Sequence, residues 1–399
     1  MERGTGGWVH AVAEALSTDA SAQLREEALA LNDALAAHPE LGSQEFESSK
    51  RIVELLRSHG LVVEYPFCGL ATSFKTSVNP GSGRRKAALL AEYDALPELG
   101  HACGHCAGGS AAVLAILALH EIEPMLGDIQ IDLIGTPDEE TGGGKVLLAA
   151  AHAFDAYEFA AMVHMNDVNL SQINFSAIDG MVFEFRGKPA HAAFAPEKGR
   201  NAFNAARLFF DSVDMMRQHV PDKVRLHGYM TEGGYSSNTI PDFARIEFCT
   251  RAPRRRQLND VTEWVKDCAR AAAMATRTEL KILPYGVDYD SFETGKEKNQ
   301  AIVSCFEALG LDIDGETVVE GGSSDIASVD AVCPAFHPML GIGSGLVAHT
   351  EEFAAAMTGP QTHQAIENGA RVLIQLCDML FHRQDLLERV KAESRLQHL

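Results

Sequence analysis

The spacing of apolar positions in the first half of the chain predicts helices that alternate with short strands. Apolar residues recur every three or four positions from about Trp8 to Ala37 and over Glu45–His59, which is the spacing of one helix face. Apolar runs rich in β-branched and small residues then alternate with helical patterns. The predicted strands are 86–92, 129–135 and 159–163, and the predicted helices are 108–120 and 146–153. This alternation predicts an α/β fold with a mostly parallel sheet and flanking helices.

The pattern changes near Ile178 and changes back after Lys296. Alternating apolar and polar residues predict a half-buried strand there, and a helix, two strands, a helix and a strand follow. The order β-α-β-β-α-β is typical of a ferredoxin-like α+β module. We therefore predict a main domain in two parts, residues 1–178 and 291–399, interrupted by an inserted domain over residues 179–290.

Composition and charge narrow the classes of function. The 399 residues are more than one ordinary hydrophobic core holds, which agrees with two domains. A net charge of −21 provides no basic face for nucleic acid. The N-terminus lacks a secretory signal pattern, and no apolar run approaches the roughly 20 residues of a membrane span. The eight cysteines are scattered, so we expect reduced thiols in a cytoplasmic protein without a membrane partner.

Side chains with metal-binding chemistry follow the predicted strands. They are, in chain order, Cys103 and His105, Glu139 and Glu140, and His164, with a late histidine, His349, in addition. The carboxyl ends of parallel strands meet at one edge of a sheet, so we expect these side chains to lie together. Thiolate, imidazole and carboxylate suit a transition metal, and a thiolate can bridge two ions. One of the two adjacent carboxylates could bind metal while its neighbour serves as the general base.

Other interpretations of single motifs stay open. A histidine taken alone is more often an ordinary core or surface residue than a ligand. The stretch from Cys103 to Cys106 has the Cys-x-x-Cys spacing of dithiol oxidoreductases, in which a helix start lowers the thiol pKa. The stretch from Gly142 to Lys145 lacks the spacing of a phosphate-binding loop and is interpreted as a flexible helix start.

Motifs spread along the chain resemble those of one enzyme family. They are Asp94-Ala95-Leu96-Pro97, His101-Ala102-Cys103-Gly104-His105, Gly135 to Lys145, His191, Ser237-Asn238-Thr239-Ile240-Pro241, Gly322-Ser323-Ser324-Asp325 and His349-Thr350. Their order and spacing resemble the co-catalytic metallopeptidases that include aminoacylases, auxin-conjugate amidohydrolases, p-aminobenzoyl-glutamate hydrolase and a β-alanyl-dipeptide hydrolase. The resemblance implies a zinc-exopeptidase-like catalytic domain and an inserted lid and dimerisation domain.

The resemblance also implies roles for individual residues at the metal centre. Cys103 would bridge two divalent ions, which are manganese or zinc, with cobalt as a further acceptable ion. His105 and His164 would complete the shell of one ion, and Glu140 and His349 that of the other. Glu139 would be the general acid and base, and Asp94 would orient a metal-bound histidine.

The inserted domain has implied roles as well. His191 would reach the active site of a second subunit in a homodimer and stabilise the oxyanion, while Asn238, Arg251 and Ser324 would bind the substrate. The implied reaction is attack of a water between the two ions on the amide of an N-acyl amino acid or small dipeptide-like conjugate. The alternatives are a non-catalytic binding protein on the same scaffold and a dithiol oxidoreductase that uses Cys103 and Cys106.

Two positions depart from the family pattern. Cys106 stands where relatives usually have Asp or Asn, and Asp138 stands where a small apolar residue is usual. An Asp138 carboxylate inside the pocket would raise the pKa of Glu139 or favour a cationic substrate, whereas one in solvent would do neither.

Overall fold

The structure is a computed structural model that describes residue 8 and residues 19–81, 83–313, 319–320 and 322–398. As far as the chain is described, one compact unit comprises Met1–Asn174, Glu293–Glu320 and Ser324–Leu399. A second comprises Phe175–Phe292 with Gly321–Ser323, where the sequence predicted an insertion over residues 179–290. That these units are independent domains stays a prediction.

Helices and strands cover most of the described chain. The helices are α1 (Asp19–Ala37), α2 (Phe46–Ser58), α3 (His105–Glu121), α4 (Gly144–Ala150), α5 (Ala202–Met216), α6 (Arg255–Thr276), α7 (Gly295–Ala308), α8 (Ile326–Asp330), α9 (Glu351–Ala355), α10 (Pro360–His382) and α11 (Gln384–Gln397). The strands are β1 (Val63–Glu64), β2 (Lys75–Val78), β3 (Arg85–Ala91), β4 (Ile129–Gly135), β5 (Phe159–Ala161), β6 (His164–Asn166), β7 (Ile173–Phe175), β8 (Ala177–Arg186), β9 (Arg225–Glu232), β10 (Phe243–Ala252), β11 (Glu279–Pro284), β12 (Phe292–Glu293), β13 (Val319–Glu320), β14 (Ala335–Phe336) and β15 (Met339–Gly341).

The main sheet of the first unit has the strand order β1-β2-β4-β3-β5-β14. Strands β4, β3, β5 and β14 are parallel, with Leu89 of β3 level with Leu133 of β4 and Ala161 of β5. All of β4 is buried, as expected for a parallel strand that is covered on both faces. The predicted α/β fold with a mostly parallel sheet is therefore confirmed. Strands β1 and β2 add an antiparallel edge.

Small residues bring helix α3 close to the strand ends that carry the candidate ligands. The helix is buried from His105 to Leu119. A Cβ atom on Gly109 would lie 2.2 Å from the carbonyl oxygen of Glu92, and one on Gly108 would lie 2.7 Å from that of Val163. Glycine is therefore required at both positions, because any side chain would push the helix away from the sheet.

The second unit contains the elements β8-α5-β9-β10-α6-β11. Its antiparallel sheet has the order β11-β8-β10-β9, in which Phe183 of β8 is level with Ile246 and Ile282. The aromatic rings of Phe183, Phe209 and Phe248 form the centre of its core, with the centroid of Phe209 at 4.8 Å from Phe183 and 5.3 Å from Phe248. This arrangement is the ferredoxin-like fold that the sequence pattern predicted.

Several predicted boundaries differ from those of the structure. The helix predicted to begin near Trp8 has residues 9–18 outside the described part of the chain, and the described helix begins at Asp19. Strand β2 and helix α11 were not predicted from the sequence. None of the described helices has the length and apolar character that a bilayer span requires.

Candidate metal centre

The candidate ligands come from the ends of neighbouring strands and from one loop. Cys103 and His105 follow β3, Glu140 follows β4, His164 begins β6, and His349 lies in the loop after β15. His349 has a positive φ of 64°, and its backbone N–H donates to the carbonyl oxygen of Ala102 at 2.8 Å. This hydrogen bond fixes the late loop beside the motif that contains Cys103.

The five side chains form two sets that share Cys103. Cys103, His105 and His164 form one set, and Cys103, Glu140 and His349 form the other, with ligand atoms within 4.8 Å of one another in each. The Sγ atom of Cys103 lies 3.4 Å from Nε2 of His164, and Oε1 of Glu140 lies 3.8 Å from Nε2 of His349. The sulfur–nitrogen pair is within hydrogen-bonding distance, and both separations are those of two atoms that bind one ion at about 2.0–2.3 Å each.

The unpaired atoms of the two sets fit divalent ions. Within the described chain, the buried Nε2 of His105 and Oε1 of Glu140 have no hydrogen-bond partner. A buried polar atom without a partner costs free energy, and an ion in each set would satisfy the unpaired atom of that set. Nitrogen, sulfur and carboxylate donors together suit manganese, zinc or cobalt.

Hydrogen bonds on the far side of each imidazole orient the histidines. Nδ1 of His105 lies 2.8 Å from Oδ1 of Asp94, and Nδ1 of His164 lies 2.8 Å from the carbonyl oxygen of Met165. With a proton on each Nδ1, both Nε2 atoms are free to bind metal. The other oxygen of Asp94 accepts the backbone N–H of Glu140 at 3.0 Å, so Asp94 orients parts of both sets.

The protonation states also depend on burial. Burial, and then the neighbouring His105, lower the pKa of His164 to about 4, so that its imidazole is neutral as a metal ligand must be. Burial would lower the pKa of His105, but the carboxylates of Asp94 and Glu92 raise it well above its usual value. Burial raises the pKa of the Cys103 thiol, and a bound cation would offset this because it stabilises the thiolate.

Glu139 lies beside the ligand sets and forms a group with His105 and Glu140. Burial raises the pKa of Glu139 well above its usual value, and the nearby carboxylates of Asp325 and Glu92 raise it further. A carboxyl group with a raised pKa can both accept and return a proton near neutral pH. The role of Glu139 as general acid and base stays a prediction.

Asp138 is directed neither into solvent nor towards an open pocket. The residue is buried with a positive φ of 61°. Its carboxylate accepts hydrogen bonds from the hydroxyl groups of Ser43 and Thr141 and from the backbone N–H of Gly142 at 2.7 Å. The carboxylate therefore stabilises the loop that carries Glu139 and Glu140.

Cys106 does not have the environment of a redox thiol. Its side chain is buried, and burial raises the pKa of the thiol to about 12. Dithiol oxidoreductases require the opposite change, a lowered thiol pKa at an accessible position. Neither Cys103 nor Cys106 forms a disulfide.

In the second unit, His191 and Asn238 lie on two segments that pair through a short antiparallel bridge. Nδ1 of the exposed His191 accepts backbone N–H groups from Ala193 at 3.3 Å and Phe194 at 3.2 Å. The Asn238 Oδ1 atom accepts the hydroxyl of Ser236 at 2.6 Å. Both residues are exposed, and with Nδ1 as acceptor the proton of a neutral His191 imidazole is on Nε2.

Two other candidates for substrate binding have different surroundings. In the second unit, the Arg251 guanidinium donates to the hydroxyl of Ser323 at 2.9 Å. Ser324 belongs to the first unit and is buried, and its hydroxyl accepts the N–H of Ile326 at 3.4 Å. The substrate-binding roles of Arg251 and Ser324 stay predictions.

A buried charged network next to the ligand sets was not predicted from the sequence. The ammonium group of Lys145 lies 2.5 Å from Oε1 of Glu92 and 2.6 Å from Oδ1 of Asp325. The sequence indicated only a flexible helix start in the stretch ending at Lys145. Helix α4 does begin there, but the lysine side chain is fully buried. One signal for this network was available in the sequence. Lys145 is the second residue of a helix that is otherwise apolar, and acidic residues follow the neighbouring strands.

Comparisons with known proteins agree with this geometry. The sequence pattern of peptidase family M20/M25/M40 matches residues 88–378. A mouse protein named Xaa-Arg dipeptidase is 32% identical over 380 residues, which cover 91% of this chain and 88% of the relative. One of the subunits of the Escherichia coli p-aminobenzoyl-glutamate hydrolase is 30% identical over 62% of this chain and 56% of its own. The crystal structure of a Bacillus subtilis protein described as a dinuclear metal-binding peptidase superposes with a TM-score of 0.66 at 18% identity, over 88% of this chain and 98% of that one.

Proposed function

The chain belongs to peptidase family M20/M25/M40 and is a hydrolytic enzyme, and we propose that it is a dinuclear metal-dependent dipeptidase or amidohydrolase. The observation that carries the proposal is the position of Cys103 in both ligand sets. Its thiolate would bridge two divalent ions, with His105 and His164 on one and Glu140 and His349 on the other. The ions are manganese or zinc, and cobalt fits the same donors.

The residues of the chain divide the work of amide hydrolysis. When bound, the ions supply Lewis acidity to the amide carbonyl and to the attacking water. Glu139 accepts the proton of that water and returns it to the leaving amine. His191, in a homodimer through the inserted unit, would donate from Nε2–H to the oxyanion in the second subunit's site. Asn238 and Arg251 would bind the substrate carboxylate.

For the substrate, we propose a dipeptide or N-acyl amino acid, with dipeptides that have a C-terminal arginine first. This choice is supported by the similarity to the mouse Xaa-Arg dipeptidase over most of both chains. The match to the p-aminobenzoyl-glutamate hydrolase is shorter and favours that substrate less. All eight cysteines are free, which supports a reducing compartment such as the cytoplasm.

A hydrolysis screen tests the proposed function. The substrates are Xaa-Arg and Xaa-Lys dipeptides, their Xaa-Glu counterparts, N-acetyl amino acids and p-aminobenzoyl-glutamate, each with added manganese or zinc. We expect metal-dependent release of the C-terminal amino acid and fastest turnover of the basic dipeptides. The variant Glu139→Gln should bind as much metal as the wild type but lose turnover by about 100-fold or more.

Two results would contradict the proposal. Hydrolysis of none of these substrates by protein that holds metal would support the alternative of a non-catalytic binding protein. Full activity of Glu139→Gln at unchanged metal content would remove the proton-transfer role of Glu139.

A further inference from the structure

Lys145 is a buried cation that the proposed mechanism does not use. Its side chain is completely buried at the start of α4. The ammonium contacts Glu92 at 2.5 Å and Asp325 at 2.6 Å, and the Lys145 backbone N–H donates to the second oxygen of Asp325 at 2.9 Å. Asp325 therefore accepts hydrogen bonds from both the backbone N–H and the side-chain ammonium of Lys145.

Three carboxylates converge on the region of this ammonium. Oxygen atoms of Glu92, Glu139 and Asp325 lie within 4.8 Å of one another, which is a spacing that could hold a metal ion. The second oxygen of Glu92 lies 3.5 Å from Nε2 of His105, the atom assigned to metal binding. Glu92 therefore lies between the lysine and the ligand set, and without a cation it would be available to bind an ion.

We propose that Lys145 is a positioning residue whose ammonium group takes the place of a cation between Glu92, Glu139 and Asp325. It thereby keeps Glu92 and Glu139 from acting as ligands of a further divalent ion. Glu139 then remains available for proton transfer, and this consequence rests on the proposed function. The contacts of the ammonium with Glu92 and Asp325 do not depend on the reaction.

Another buried lysine of the same unit provides a matched control. Lys298 is equally buried, and its ammonium lies 2.5 Å from Oδ1 of Asp330. Asp330 belongs to none of the possible metal-binding groups found among the described residues. Loss of either lysine removes the ammonium that contacts a buried carboxylate and destabilises the fold. Only the loss of Lys145 should change the binding of metal.

The test compares Lys145→Met, Lys145→Arg and Lys298→Met in the full chain. Equilibrium dialysis against Mn²⁺, followed by metal analysis, should show one more ion per chain for Lys145→Met than for the wild type. We expect kcat of this variant to fall about 100-fold while KM stays within about threefold, since a carboxylate that binds metal cannot transfer a proton. Lys145→Arg, which keeps the charge, should restore the wild-type ion count and most of kcat. Lys298→Met should unfold at lower urea concentration with wild-type ion count and kcat.

Equal ion counts for Lys145→Met and the wild type would overturn the proposal, as would an extra ion in Lys298→Met. Where Lys145→Met does not fold, Lys145→Gln replaces it with the same expected count. The double variant Lys145→Met/Asp325→Asn removes one carboxylate and should lose the extra ion. A wild type that binds metal but hydrolyses nothing would contradict the proposed function, and the ion counts would still decide the role of Lys145.

Discussion

The substitution Asp94→Asn tests the proposal that Asp94 orients His105 for metal binding. The carboxylate accepts His105 Nδ1–H at 2.8 Å and the backbone N–H of Glu140 at 3.0 Å, one with each oxygen. Asparagine has the same shape but a single oxygen, so its NH₂ group would face one of these donors. A lost hydrogen bond to a charged group costs about 1.5–3 kcal/mol. At about 1.4 kcal/mol per tenfold, this predicts divalent-ion binding that is about 10- to 150-fold weaker.

The assay is competition for Zn²⁺ between the protein and a chelator of known affinity. Asp132→Asn is the matched control, because Asp132 is a buried carboxylate of the same sheet that accepts hydrogen bonds from Tyr157 at 2.6 Å and Gln130 at 2.7 Å. The control should lower the free energy of unfolding and leave Zn²⁺ affinity unchanged. A Zn²⁺ affinity of Asp94→Asn within about twofold of the wild type would refute the reasoning. Loss of a hydrogen-bond partner of a metal ligand normally weakens metal binding by about 10- to 100-fold.

Two further predictions concern buried groups near the centre. Burial raises the pKa of Glu45 from 4.5 to about 7, so the folded state binds the proton more tightly than the unfolded state. The stabilising contribution of Glu45 is then fully present below about pH 4.5 and is lost, by up to about 3 kcal/mol, as the pH rises through 7. The urea midpoint of Glu45→Gln should therefore rise relative to that of the wild type over this range. Cys106→Ala should keep kcat/KM within about twofold, since a buried thiol outside the proposed site contributes only packing. Loss of activity in this variant would support the dithiol oxidoreductase interpretation.

The fold was predictable because its elements follow local rules. The apolar run of β4 matched the observed strand at both ends, Ile129 and Gly135. Ligand candidates could be found in the same way, since strands that run in parallel deliver their last residues to one edge. The structure brings Cys103 into contact with His164 from 61 positions away. Strand β2 was missed because its four residues alternate buried and half-buried positions over too short a stretch to give a period.

The surroundings of the ligands could not be predicted from the sequence. Asp138 was assigned to pocket or solvent, yet its partners Ser43 and Thr141 hold it in the loop. Lys145 and its partner Asp325 are 180 positions apart. No periodicity links residues at that separation, so the apolar composition of helix α4 could mark Lys145 as unusual but could not identify Asp325 as its partner.

The donor atoms explain why one group of side chains would hold metal and the neighbouring one a lysine. The sets that share Cys103 contain nitrogen and sulfur donors, which favour transition metals, whereas Glu92, Glu139 and Asp325 offer only oxygen, which suits magnesium, calcium and manganese. These three carboxylates, of which Glu92 and Asp325 are buried and Glu139 is half-buried, would repel one another and cost free energy without a cation. An ammonium group that is part of the chain removes this repulsion at any metal concentration. Transition-metal binding would then be confined to the sets beside Glu139, and the base would remain outside the coordination shell.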